Sequence, residues 1–68
     1  MSLVHFKTDA RPYHGYVTQY INPDDVSAVT ESGSSDNPTR ITMKNGNFYQ
    51  VMGWPDEAAL KLAKEEQP

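Results

Sequence analysis

The stretch Thr39-Arg-Ile-Thr-Met-Lys-Asn-Gly-Asn-Phe-Tyr-Gln-Val-Met52 decides how the rest of the chain is read. Two short runs rich in β-branched and aromatic residues flank Asn45-Gly46, the dipeptide that most strongly marks a tight reversal between antiparallel strands. Asn and Gly both tolerate positive φ, so the backbone can turn there without Cβ strain. The spacing predicts a β-hairpin over residues 39–52.

Two registers fit this hairpin. A two-residue turn pairs Lys44 with Asn47 and places Ile41, Met43, Phe48 and Met52 on one face. A three-residue loop, with Gly46 as a left-handed bulge residue, groups Ile41, Met43, Tyr49 and Val51 instead. In both, the second strand carries large apolar groups on its two faces, Phe48 and Met52 on one, Tyr49 and Val51 on the other. A half-solvated strand alternates apolar with polar residues, and this one does not. One face is expected against the chain's own helix. The other needs a cover, and in so short a chain a second copy is the expected one.

Sixty-eight residues make a single small domain, 1–68, with a flexible loop at about 31–38. A chain of this size buries only about 60% of its unfolded surface, so it gains from a staple. The sequence has no cysteine, which removes disulfides and thiolate metal sites and leaves oligomerisation as the common remaining route. No stretch approaches the roughly 20 apolar residues of a membrane helix, and no basic-then-apolar leader opens the chain. A cytoplasmic location without membrane contact is the expectation. Nine acidic residues against six basic ones give a net charge of −3, and Lys7, Arg11, Arg40, Lys44, Lys61 and Lys64 are scattered singly. Nucleic-acid binding rests on clustered cations that neutralise phosphates, so this balance disfavours it.

Working outward from the hairpin, Leu3, Val4 and Phe6 begin a first strand with His5 and Lys7 interleaved. Asp9 to Gly15 reads as a loop, interrupted by Pro12 and Gly15. Residues 16–21 form a second strand by β-propensity, with Tyr16, Thr18 and Tyr20 on one face and Val17, Gln19 and Ile21 on the other. Asn22-Pro23-Asp24-Asp25 is a turn in which Pro23 sets φ and the Asn22 side chain accepts from amides just ahead. A third strand runs from Val26 to Glu31, and the phase between Val26 and Val29 predicts a bulge or short helical turn at its start. The polar segment from Glu31 to Pro38 reads as solvated slack. After the hairpin, Pro55 suits a first helical position and Asp56 and Glu57 the first turn, so a helix is expected over about 55–66. Its inward stripe is Ala59, Leu62 and Ala63, with Leu60 at the edge. The fold class is therefore α+β, a small antiparallel β-meander of four to five strands with one C-terminal α-helix packed on the sheet.

Reactive constellations are sparse. His5, Asp9 and His14 match no compact metal-ligand spacing, and no cofactor or metal is expected. The serines lie outside any nucleophile elbow, Asp24-Asp25 sits in a turn, and Gly33 and Gly46 are isolated rather than part of a phosphate loop. No enzymatic constellation emerges. Aromatic residues carry more information. Tyr16, Tyr20, Phe48 and Tyr49 are the expected interface residues, because tyrosine combines apolar area with a polar tip. Trp54 is expected to support them as a plug between helix and sheet. Arg11, Arg40 and Lys44 are the possible anion contacts.

Several of these features come together in one pattern. Ile21-Asn22-Pro23-Asp24 leading into Val26, Thr39 to Met43, Asn45-Gly46, Tyr49, Val51 and the helix start Pro55-Asp56-Glu57 resemble the small flagellar FlbD-type proteins over residues 21–66. The turn-and-strand order is also similar to that of LytTR-type domains. Asp9–Gly15 is longer than the flagellar pattern, and Trp54 stands where that pattern has a small residue. The resemblance implies a small, cytoplasmic, non-enzymatic accessory protein; chains this short are also common in bacteriophages, and a phage origin would imply binding to a host protein. The reading is thus a non-catalytic, homo-oligomeric interaction or regulatory module. The alternative is nucleotide or single-stranded nucleic-acid binding through the aromatic sheet face.

Overall fold

The computed structural model, which describes residues 2–66, converts the period-two patterning into five antiparallel strands followed by one helix. Strands β1 (Val4–Asp9) and β2 (Tyr16–Ile21) make one sheet, and β3 (Val26–Glu31), β4 (Thr39–Met43) and β5 (Phe48–Val51) make another in that order. Helix α1 (Pro55–Glu66) closes the chain. The fold class matches the expectation, and the meander is divided between β2 and β3. The division has a local cause: Pro23–Asp25 form a 3₁₀ turn, and Asn22 Oδ1 accepts the Asp24 N–H at 3.0 Å. A turn fixed by proline and capped from its own side chain redirects the chain rather than returning it alongside β2. The register of β3 on β4 then shifts between Val26 and Ala28, the bulge that the Val26/Val29 phase predicts.

The hairpin takes its three-residue form. Ile41 stands opposite Tyr49 and Thr39 opposite Val51, and Met43 N–H donates to Asn47 C=O at 2.7 Å. Gly46 adopts φ +92, a conformation that L side chains rarely hold, and closes the loop by donating to Met43 C=O at 3.0 Å. Ile41 and Val51 therefore face the core, while Thr42 and Phe48 face away.

That core consists of Val4, Phe6, Ile21, Ile41, Val51, Ala58 and Leu62. Thr39, 0% exposed, joins it because its hydroxyl donates to Gly53 C=O at 2.7 Å, which satisfies the buried oxygen and ties β4 to the strand–helix junction. The two sheets are held edge to edge along β1. Met52 N–H donates to Lys7 C=O at 2.7 Å, and Thr8 Oγ1 to Gln50 C=O at 2.7 Å. Lys61 of the helix reaches His5 C=O at 2.6 Å while its ammonium lies 4.7 Å from the Phe6 ring centroid.

The helix lies against β3, the 3₁₀ turn, β1 and β4, with one correction to its expected phase. Ala58 and Leu62 are buried, one turn apart, whereas Ala59 and Ala63 are exposed and Leu60 is 67% exposed. The stripe is rotated by one position from Ala59 to Ala58. The loop at 31–38 carries a dense set of local bonds: Ser32 Oγ donates to Asn37 C=O, Ser34 N–H to Ser32 Oγ at 3.0 Å, and Asn37 N–H to Ser34 Oγ at 3.2 Å. Asn37 also bonds the backbone of Asp9 through both ends of its amide, accepting at 2.7 Å and donating at 3.0 Å. Among the described residues, no helix is long and apolar enough to cross a membrane.

Candidate interaction surface

The end of β2 and the β4–β5 loop approach each other because the 3₁₀ turn sits between them. Lys44 N–H donates to Asp25 C=O at 2.8 Å, which anchors the hairpin loop against that turn. A groove of about 450 Å³ opens beside the anchor. Leu3, Tyr20, Met43 and Tyr49 supply its apolar surface, and Asp25, Lys44, Asn45 and Asn47 its polar rim. Tyr20 and Leu3 are more than half exposed, so the groove displays apolar area rather than enclosing it. Such a surface suits an apolar side chain of a partner held by hydrogen bonds at its margin.

The remaining expected residues fall in separate places. Tyr16 shares the outer face of β2 with Tyr20, and the Arg11 guanidinium lies 4.9 Å from its ring centroid. Arg11 is also committed to Asp9, through Nε to Oδ1 at 2.9 Å and Nη2 to Oδ2 at 2.7 Å. Those side-chain hydrogen bonds, joined by the Arg11 backbone N–H, hold the Asp9 carboxyl below its ordinary value, and the same pair raises Arg11 further. Phe48 lies on the outer face of the three-stranded sheet under the Arg40 guanidinium, 4.6 Å from the ring centroid. Arg40 Nε is buried without a hydrogen-bond partner. Trp54 is not a plug: it is 63% exposed at the strand–helix corner.

The three expected anion contacts are therefore dispersed, Arg11 after β1, Arg40 in β4 and Lys44 in the hairpin loop, and only Lys44 lines the groove. Among the described residues, no three His, Cys, Asp or Glu side chains converge to hold a metal ion. His5 lies beside Tyr20, with ring centroids 5.9 Å apart, and His14 belongs to the β1–β2 turn, where its N–H donates to Ala10 C=O at 3.0 Å. Sequence reasoning singled out Tyr20, Tyr49 and Lys44 but passed over Leu3, Met43, Asn45 and Asn47 as groove residues. Only the meeting of the two sheets makes these neighbours. Comparison of the chain with protein-family models, curated proteins and solved structures gives no match.

Proposed function

We propose that this chain is a non-catalytic protein-interaction module, regulatory in role and homo-oligomeric, that acts in the cytoplasm of a bacterium or of its phage-infected form. The single observation that supports it is the open groove in which Tyr20 and Tyr49 flank Leu3 and Met43 under a polar rim. Exposed aromatic area of this kind, ringed by amides, is what protein interfaces concentrate. The flagellar FlbD-type resemblance adds the role of an accessory protein. Dispersed cations and a net charge of −3 weigh against the nucleic-acid alternative.

The test is mass in solution. Sedimentation of the unaltered chain gives an assembly heavier than the 7.6 kDa monomer, and the double variant Tyr20→Ser, Tyr49→Ser gives a monomer with an unchanged circular-dichroism spectrum. Association retained in the double variant would remove the groove from the reading. Binding of a single-stranded oligonucleotide that weakens steeply with salt would replace it with the alternative.

A further inference from the structure

The two-stranded sheet has two outer edges, and the fold treats them oppositely. Ala10 N–H donates to Gly15 C=O at 2.7 Å beside the turn, which sets the alternation of the β1–β2 ladder. Val17, Gln19 and Ile21 bond inward to β1, while the backbone groups of Tyr16, Thr18 and Tyr20 point to the outer edge of β2, and those of His5, Lys7 and Asp9 to the outer edge of β1. On the β1 edge these groups find partners: His5 C=O takes Lys61 Nζ, Lys7 C=O takes Met52 N–H, and Asp9 N–H and C=O both take the Asn37 amide. On the β2 edge the N–H and C=O of Tyr16, Thr18 and Tyr20 have no protein partner among the described residues.

An open edge is normally blunted by charge, proline, a bulge or a covering element. The free side of β3 has a bulge at Val26/Ala28, a terminal Glu31 and α1 packed beside it. Strand β2, Tyr-Val-Thr-Gln-Tyr-Ile, has no charged residue, proline or glycine. It is also symmetric in the feature that matters, since Tyr16 and Tyr20 stand equally far from Thr18.

From this edge we propose that β2 pairs with β2 of a second copy, antiparallel about a two-fold axis through Thr18, joining two two-stranded sheets into one. A two-fold at any residue of β2 keeps outward-bonding groups opposed, but Thr18 alone brings Tyr16, Thr18 and Tyr20 all into the ladder, whereas Val17 or Gln19 as centre pairs only two of them within the strand. Centring on Tyr16 or Tyr20 leaves a tyrosine beyond the pairing, whereas Thr18 places Tyr16 opposite Tyr20 of the second copy twice over, at about 5.5 Å between Cα atoms. Aromatic cross-strand pairs stabilise such a ladder, and the self-complementary contact is the kind a closed two-fold dimer uses. The contact strand is uncharged, so two copies of an acidic chain meet there without like charges opposed. This inference rests on the homo-oligomeric part of the proposed function and names its surface.

The experiment combines hydrogen exchange by NMR with the variant Thr18→Lys, which sets two ammonium groups against each other at the axis. In the unaltered chain, protection of the Tyr16, Thr18 and Tyr20 amides rises with protein concentration, while Val17, Gln19 and Ile21 are protected throughout. Thr18→Lys keeps its circular-dichroism spectrum and raises the dissociation constant at least about tenfold. Unchanged association in a folded Thr18→Lys variant overturns the proposal. An assembly in which the three alternate amides exchange freely also overturns it, and leaves association through the groove standing. A chain that stays monomeric up to about 1 mM overturns this inference and the oligomeric reading together.

Discussion

Asn37 lies in a polar loop between strands and yet takes the part of a strand residue. Its amide accepts from Asp9 N–H and donates to Asp9 C=O, the two bonds that a neighbouring backbone would exchange, so the end of β1 keeps a partner after β5 has ended. Removing the amide leaves two part-buried backbone groups unsatisfied, each worth about 1 kcal/mol or more. Asn37→Ala therefore lowers stability by about 1–3 kcal/mol, seen as a lower urea midpoint at unchanged denaturant slope, and Asn37→Asp, which keeps only the acceptor, falls between. The sequence reads this loop as slack because the bond spans 28 positions and leaves no local signature. Thr39 is similar. Its place at a strand start is legible, but its hydroxyl is buried without cost only because Gly53 C=O arrives beside it.

Elements were more legible than their rotations. The helix limits, the β2 faces, the bulge before Ala28 and the left-handed Gly46 follow from Pro55, from period-two alternation and from Asn45-Gly46. The inward face of α1 did not, because Ala58 and Ala59 carry the same small apolar weight and lie 100° apart on the helix. Which of them is buried depends on where β1 and β3 stand. Leu62 settles the energetics: at 5% exposed it anchors the helix, while Leu60 covers nothing. Leu62→Ala costs about 2–4 kcal/mol and Leu60→Ala stays within about 0.5 kcal/mol, a contrast that paired urea titrations measure directly.

Among the described residues the core comprises seven apolar side chains, of which one is aromatic, while nine large hydrophobic side chains remain exposed. The proposed pairing through β2 would stabilise the folded state by mass action, because only folded chains present that edge. The thermal midpoint consequently rises with protein concentration, by roughly 3–6 °C per tenfold for a dimer of this size. The midpoint of Thr18→Lys stays constant over the same range. Calorimetry on a dilution series makes the comparison.

Local chemistry alone determined where this chain extends, where it turns and where its helix starts, because φ restriction, Cβ sterics and alternation act within a few residues. Tertiary structure alone decided which alanine faces inward, and that Tyr20 and Tyr49 border one groove while Phe48 lies on another face. It also decided which edge of the first ribbon stays open, since the partners that cover β1 come from residues 37, 52 and 61. Contacts over such separations follow from how the sheets meet in space, which no short-range preference encodes.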